Sequence, residues 1–242
     1  MRKKTDSDKL IKEFEGRNII ELKDIEAFFR KSEPSIPKTT VNWRIYDLVQ
    51  QQILQRVGRG LYRFGKTEIF SPEITPKMKS VCKFINKQFP FVTYCQWELS
   101  TVNHFAQHLI NFNILFVDVE KDALDGVYYA LKEQQTKVML ISNLYGDLSD
   151  FDKFIFIRPL ISDSPLQKVK NCNVASIEKI LVDLASDEEL ISFQGNEIYT
   201  IMGAASEKYT VNHNKMLRYA GRKNKRKKVE AILSGETGIS SE

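Results

Sequence analysis

The chain has 242 residues, of which 42% are hydrophobic and 28% are charged, so it holds enough apolar side chains to bury a core and is not a disordered polypeptide. Its longest apolar runs, such as residues 138–141, are far shorter than the roughly 20 residues of a membrane-spanning helix, which excludes a membrane protein. This length predicts one large domain or two modest ones.

The net charge of +5 is distributed unevenly along the chain. Residues 1–66 carry 15 Lys and Arg against 9 Asp and Glu, whereas residues 67–207 carry 12 against 19. Residues 208–228 then carry 9 basic residues and no acidic one. Two basic segments therefore flank an acidic middle, a pattern that favours a polyanion-binding end joined to a body with another role.

The start of the chain and its cysteines indicate the compartment. Residues 1–9 are charged and no apolar core or small-residue cleavage site follows them, so we expect no export signal and a cytoplasmic protein. Cys82, Cys95 and Cys172 are odd in number, widely spaced and form no C-x-x-C motif. They predict neither a disulfide framework nor a cysteine-built zinc site.

The first 66 residues predict three helices followed by a hairpin. Helical spacing of apolar residues covers residues 10–14, 22–32 and 39–51, with a short strand at 18–20 and a turn at Pro34 and Pro37. Two β-rich runs, 53–57 and 61–64, are joined by Gly58-Arg59-Gly60. This order is typical of a winged helix-turn-helix, in which the third helix enters the major groove and the hairpin lies along a phosphate backbone.

The third helix and the hairpin carry side chains suited to DNA. Short hydroxyl and amide side chains at the start of a helix reach base edges or phosphates, helped by the helix dipole. Arginines on a hairpin suit phosphates or the minor groove. The residues predicted to contact DNA are Lys38, Thr39, Thr40, Asn42, Trp43 and Arg44 on the helix, and Arg56, Arg59 and Arg63 on the hairpin.

Trp43 lies on the polar side of the third helix and has two interpretations. A tryptophan in this position packs on a neighbouring helix more often than it contacts DNA. We expect the packing role for Trp43 and keep the DNA contact as the alternative.

Beyond a Pro-containing linker, extended and helical patterns alternate. Extended runs are predicted at residues 89–97, 113–119, 137–142 and 153–160, and helices at 81–88, 98–110, 121–133, 176–186, 195–208 and 213–233. The predicted fold class is α+β, an N-terminal winged helix-turn-helix followed by a mixed α/β domain with a helical basic C-terminal end. The predicted boundaries are 1–66 for the DNA-binding domain, 67–77 for the linker, 78–234 for the second domain and 235–242 for a flexible tail.

The basic C-terminal end has two open interpretations. It is either a second polyanion contact or a solvated helix that docks by its apolar residues. The residues of the proposed second contact are Lys215, Arg218, Arg222, Lys223, Arg226 and Lys227.

Two pairs of carboxylates were weighed as enzymatic sites. Asp150 and Asp152 precede an apolar run, as the metal-binding pair of a nucleotidyltransferase does, but no Gly-Ser lies about ten residues upstream. Asp118 and Glu120 share one face of a strand, but no Glu-x-Lys follows in this domain. A metal-dependent nucleic-acid-modifying enzyme therefore stays a minor alternative.

His104 and His108 have the spacing of a zinc-protease pair, but Phe105 stands where the catalytic glutamate would be. The sequence also shows no phosphate-binding glycine loop, nucleophile elbow or dinucleotide fingerprint. We therefore predict no catalytic residue, no metal and no cofactor.

Two segments of the predicted DNA-binding domain resemble a known family. Residues 40–48 (TVNWRIYDL) and 55–63 (QRVGRGLYR) look like the winged helix of the AbiE-type abortive-infection antitoxins, which are transcriptional regulators. Four later segments are similar in style, at residues 117–123, 158–160, 176–183 and 208–220. The wing motif alone is shared by many regulators, whereas the succession of segments is more specific.

This resemblance implies the antitoxin of a type IV toxin–antitoxin system. Such a protein represses its own operon, at inverted repeats in the promoter, and its C-terminal domain counteracts a nucleotidyltransferase-like toxin without necessarily forming a stable complex. The resemblance assigns Thr39–Arg44 to the recognition helix and Arg56–Arg63 to the wing. It transfers no catalytic residue. The alternative is a stand-alone regulator whose second domain senses a ligand or oligomerises.

Overall fold

The computed structural model describes residues 2–17, 19–51, 53–65 and 68–234. The chain forms two compact units, one of Met1–Ile69 with Lys208–Asn214 and one of Phe70–Glu207 with Lys215–Glu242. Both contain helices and strands, which confirms the α+β class. In the described part of the chain, no helix is both long enough and apolar enough to cross a membrane. The predicted tail at 235–242 lies outside the described residues.

The first unit combines helices with a small antiparallel sheet. Its described helices are α1 (Arg2–Glu13), α2 (Leu22–Ser32) and α3 (Lys38–Gln50), and its described strands are β1 (Ile20–Glu21), β2 (Leu54–Gly58) and β3 (Leu61–Phe64). Strand β3 lies between β1 and β2 and is antiparallel to both. The core lies between the helices and this sheet, because each helix buries one apolar stripe. Its most buried side chains are Leu10, Ile20, Ile25, Phe29, Val41, Ile45 and Leu54.

The second unit is built on one larger sheet. Its described strands are β4 (Tyr94–Glu98), β5 (Leu115–Val119), β6 (Val138–Leu140), β7 (Ile155–Pro159), β8 (Leu166–Val169) and β9 (Cys172–Ala175), in the order β6-β7-β5-β4-β9-β8. Strands β5, β6 and β7 are parallel to one another, whereas β4 is antiparallel to β5 and β8 to β9. Its described helices are α4 (Pro76–Gln88), α5 (Leu124–Gln134), α6 (Ile177–Ser186), α7 (Glu197–Lys208), α8 (His213–Arg222) and α9 (Arg226–Ser234).

Alternation along the strands gives the sheet two different faces. Val117 and Ile157 lie on the face that forms a hydrophobic core with α4 and α5. Phe116 and Phe156 belong to the other face, where Trp97 stacks on Phe116 with ring centroids 4.9 Å apart. Asp118 of β5 and Arg158 of β7 also lie on this second face, each one residue before the end of its strand.

Two predicted helices differ from the structure, and one hairpin was missed. The helix predicted at 98–110 is a short 3-10 helix, Leu99–His104, and the helix predicted at 213–233 is divided between α8 and α9 at Asn224, whose φ is +57°. The β8–β9 hairpin was not predicted. Its turn, Lys170-Asn171, has positive φ at both positions, and a lysine there is not one of the residues that usually mark such a turn.

Helix α4 begins inside the segment predicted as a linker, at Pro76. Thr75 is its N-cap, and its hydroxyl oxygen accepts a hydrogen bond from the Met78 N–H at 3.2 Å. The same hydroxyl donates to Glu98 at 2.9 Å. Phe70 is also buried. The end of the segment predicted as a linker is therefore part of α4.

A disulfide joins Cys82 on α4 to Cys172 on β9, with 5.6 Å between the Cα atoms. The expectation of no disulfide was wrong for this pair. Sequence spacing carried no signal because the two cysteines lie 90 residues apart and meet only when α4 packs on the sheet. Cys95 is free and buried.

Candidate functional site

Helix α3 forms because apolar residues recur at Val41, Ile45 and Leu48, and all three are buried. It begins directly after Pro37, which is its N-cap and provides no side-chain hydrogen bond. The first amide N–H groups of a helix have no partner inside it and form its positive end. The start of α3 is therefore suited to an anion.

The side of α3 opposite its buried stripe is polar and aromatic. Thr39, Asn42, Trp43 and Tyr46 are exposed there, the tryptophan by 69% and the tyrosine by 55%. The two rings meet edge to face, with centroids 5.5 Å apart. The expectation that Trp43 packs on a neighbouring helix was wrong, because its described aromatic contact is to Tyr46 on its own helix.

The two basic residues of α3 are placed differently. The Arg44 guanidinium donates to both carboxylate oxygens of Glu33, at 2.8 and 3.0 Å, and lies 5.2 Å above the ring of Phe29. Arg44 is therefore held against the end of α2. Lys38 is 69% exposed, and its Nζ lies 3.9 Å from Glu26, too far for a strong hydrogen bond. Thr40 is half-buried.

The β2–β3 hairpin places arginines near its tip. Gly58 pairs with Leu61, so Arg59 and Gly60 form the turn, and the φ of +73° at Gly60 favours glycine there. Arg59 is exposed, and so is Arg56, whose Nε donates to the Gly58 carbonyl at 3.1 Å. Arg63, on β3, is half-buried. The hairpin thus presents Arg56 and Arg59 to solvent.

Several residues of the proposed second polyanion contact are paired with acidic groups. Arg222 binds Asp163 at 2.7 Å, and Arg226 binds Glu230 at 2.8 Å. Lys223 is directed into the interior, where it contacts Asp183 and Asp187. Lys215, Arg218 and Lys227 are exposed. The basic density of this segment is thus partly neutralised within the second unit.

The interior of the second unit holds a cluster of ionised side chains, which we call the ion cluster. Its members are Asp118, Arg158, Lys179, Asp183, Asp187, Glu189, Tyr219 and Lys223. Cys95, Asp118 and Arg158 lie side by side on β4, β5 and β7 because these positions are in register. Helix α6 adds Lys179 and Asp183 at i and i+4.

Arg158 lies at the centre of the ion cluster, with only 6% of its side chain exposed. Its Nε and one terminal nitrogen bind the two oxygens of Asp118, at 2.6 and 3.1 Å. The terminal nitrogens also donate to Asp183 and Asp187 at 3.1 Å and to Glu189 at 3.0 Å. These five bonds match the five N–H donors of the guanidinium. Arg158 therefore holds the four carboxylates together and has no donor left for a ligand.

Asp183 on α6 and Asp187, which directly follows α6, have pKa values shifted in opposite directions. Burial alone raises the pKa of Asp183, but the charges of Lys179, Lys223 and Arg158 outweigh burial and hold that pKa well below its ordinary value. Burial, together with the charge of Asp183, raises the pKa of Asp187 to about 6. Asp183 is therefore the stabilising carboxylate and Asp187 the unfavourable one.

A cavity of about 450 Å³ opens beside the ion cluster. Its lining includes Pro159, the last residue of β7, and Ile141, which directly follows β6. Acidic and basic side chains share its wall. The charged groups at its base already bind each other.

The structure places three of the four carboxylates that were candidates for an enzymatic pair. Asp118 is bound by Arg158 and Lys179. Asp150 lies in a 3-10 helix, Leu148–Phe151, and not on a strand, and Asp152 accepts the Asn113 N–H at 2.9 Å. Within the residues that the structure describes, no three His, Cys, Asp or Glu side chains are grouped as metal ligands.

His104 and His108 do not share a helix face, because the helix ends at His104. The helical spacing that suggested a zinc pair is therefore absent from this segment.

Sequence reasoning missed the ion cluster, although a signal was present. Asp118 and Arg158 are single charges inside otherwise apolar runs, LFVDV and IFIRP. Charges in such runs are almost never buried unless they are paired. Together with Lys179 and Asp183 on one apolar helix, they could have predicted a buried ion network.

The comparisons with known proteins bear on most of the chain. A family model described as a family of unknown function (DUF6577) matches residues 40–238, from the first turn of α3 to beyond α9. A comparison with curated proteins found no match.

Proposed function

We propose that this chain, which belongs to the DUF6577 family, is a sequence-specific repressor that binds double-stranded DNA through its first unit. The observation that carries this proposal is the exposed polar and aromatic face of α3, in the same unit as a hairpin whose tip presents Arg56 and Arg59. The expected site is a pair of inverted repeats in the promoter of its own operon.

The order of elements supports a winged helix-turn-helix as the fold of the first unit. Helix α1, strand β1, helices α2 and α3 and the β2–β3 hairpin follow each other in the order of that fold. Strand β1 pairs with β3, so the hairpin is anchored beside the helices as a wing. In this fold α3 is the helix that enters the major groove.

In this proposal, one set of exposed residues contacts the DNA phosphates and another set contacts the bases. Lys38, Arg56 and Arg59 are exposed cations that suit phosphate oxygens, and the start of α3 adds its dipole. Thr39 and Asn42 are short polar side chains on the outward face that suit base edges. The cations therefore provide most of the affinity for DNA, and the outward face of α3 provides the preference for a particular sequence.

Fluorescence anisotropy of the full chain with promoter DNA tests this division. We expect affinity to fall with salt by a logarithmic slope of about 0.9 for each phosphate neutralised. Arg59→Ala should weaken all duplexes about equally and lower that slope by about 1. Asn42→Ala should cost about 1–3 kcal/mol on the preferred duplex and little on others.

Lys12→Ala, which removes one exposed charge from α1, is the control and should leave affinity unchanged. Binding that does not depend on salt, or equal losses for Asn42→Ala on every duplex, would contradict the assignment of α3.

The resemblance to the AbiE-type antitoxins supports a second role for the same chain. We propose that the second unit counteracts a nucleotidyltransferase-like toxin encoded beside it. Co-expression with that neighbouring reading frame should restore growth, and Arg59→Ala should keep this rescue while losing repression. A toxin that inhibits growth equally with and without the chain would rule out the antitoxin role and leave the repressor.

A further inference from the structure

We infer that α3 reads A·T base pairs, with Trp43 and Tyr46 contacting the methyl groups of thymines. This inference rests on the proposed function, and it names the DNA sequence class that the same surface prefers.

The aromatic pair presents apolar surface where a DNA-reading helix has its base contacts. Trp43 is 69% exposed and Tyr46 is 55% exposed, and their edge-to-face contact at 5.5 Å fixes the two rings as one surface. Both lie opposite the buried stripe of Val41 and Ile45. In the major groove the thymine methyl is the apolar group that such a surface can contact.

The hydrogen-bonding groups beside the rings agree with this preference. Asn42 is exposed on the same face, and an asparagine amide pairs with the N6 and N7 groups of adenine. Thr39 adds a hydroxyl, which accepts or donates to either kind of base pair. The polar part of the face therefore matches the adenine of an A·T pair while the rings match its thymine.

Arginine is the residue that most often contacts guanine, and the arginine of α3 is bound elsewhere. Arg44 is the one arginine of α3, and its guanidinium binds both oxygens of Glu33 and covers Phe29. One terminal nitrogen makes both of these bonds, so bidentate pairing with guanine would require the guanidinium to leave Glu33 and the ring of Phe29. Asp47, which could accept from cytosine, accepts instead from Gln51 at 2.9 Å.

Selection of duplexes by the full-length protein tests the inference. The probe is a library of 30-base-pair duplexes with a randomised centre. We expect the retained duplexes to share A·T pairs at the centre of each half-site. Each thymine of the best duplex is then replaced in turn by deoxyuridine, which removes the methyl group and keeps every hydrogen bond.

At one or two thymines per half-site, this replacement should weaken binding about fourfold, the value of one buried methyl group. The Trp43→Ala variant should bind the thymine and deoxyuridine duplexes with equal affinity. The Trp43→Phe variant should keep part of the preference for the thymine duplex. Gln50 is an exposed polar residue on the same helix, and Gln50→Ala should keep the whole preference for the thymine duplex.

Four results would overturn the inference, and they separate it from the proposed function. Retained duplexes with guanine at the half-site centre, or deoxyuridine duplexes bound as tightly as thymine ones, would overturn the A·T assignment and leave DNA binding in place. Trp43→Ala that changes the oligomeric state while DNA affinity stays intact would make the rings a protein contact. Retention of no duplex at all would overturn both proposals.

Discussion

Replacing Asp183 by asparagine should lower the free energy of unfolding of the second unit by about 3–5 kcal/mol, the usual effect of breaking a buried ion pair from one side. Asp183 is fully buried and binds Arg158, Lys179 and Lys223, and Tyr219 donates to it at 2.9 Å. Asparagine keeps the shape but leaves these three cations short of one negative charge. The low pKa of Asp183 means that its contribution is present above pH 4 and is lost only in stronger acid.

Asp187→Asn is the matched variant and should have the opposite effect. The pKa of Asp187 is raised from 3.8 to about 6 by burial, so the folded state binds this proton more tightly than the unfolded state does. Ionisation of Asp187 therefore costs about 2–3 kcal/mol above pH 6, and this cost disappears as the pH falls from 6 towards 4. We expect Asp187→Asn to exceed the natural chain in stability at pH 8, to exceed it by about half as much at pH 5, and to approach it near pH 4.

The two tryptophans of the chain allow this to be measured for the second unit. Trp97 is fully buried and stacks on Phe116 beside Arg158, whereas Trp43 is exposed. In a Trp43→Phe background, Trp97 fluorescence followed in urea at pH 5, 6.5 and 8 reports the unit that holds the ion cluster. Equal destabilisation by both asparagine variants at every pH would contradict the assignment of opposite roles.

Reduction of the Cys82–Cys172 disulfide should also lower the stability of the second unit, by about 4–5 kcal/mol. The bond closes a segment of 90 residues, and a crosslink over that length removes much of the conformational entropy of the unfolded chain. Because both sulfurs lie in the hydrophobic core, the reduced cysteines stay packed in the folded state and the loss is mainly entropic.

Urea unfolding with and without dithiothreitol measures this loss. A variant with Cys82→Ala and Cys172→Ala is the control, since its midpoint should not depend on reductant. Alkylation after denaturation should label one cysteine, Cys95, in the oxidised chain and all three in the reduced chain. Labelling of three cysteines without reductant, with an unchanged urea midpoint, would exclude the disulfide.

Much of the first unit could be predicted from local pattern. The spacing of Val41, Ile45 and Leu48 predicted the buried side of α3, and Gly58 and Gly60 predicted the hairpin turn. Both depend on neighbours a few residues apart, which periodicity and turn chemistry report directly. Trp43 was misjudged because helical spacing shows which side a residue occupies and not whether another element covers that side.

In the second unit, the positions of strands were easier to predict than their partners. The runs that became β5 and β7 were recognised, but the register that sets Asp118 beside Arg158 comes from strands 40 residues apart. The β8–β9 hairpin was missed because Lys170 and Asn171 do not have the composition of a common two-residue turn.

The sequence by itself determined most of the stretches that become helices and strands, which side of α3 is buried, and how basic and acidic residues are segregated along the chain. Only the tertiary structure decided which charges are available. It bound Arg44 to Glu33, Arg158 to Asp118 and Lys223 to Asp183, and it left Arg59 and the ring of Trp43 exposed. The physical reason is range: secondary structure depends on neighbours within a turn or two, whereas ion pairs and disulfides depend on residues that only folding brings together.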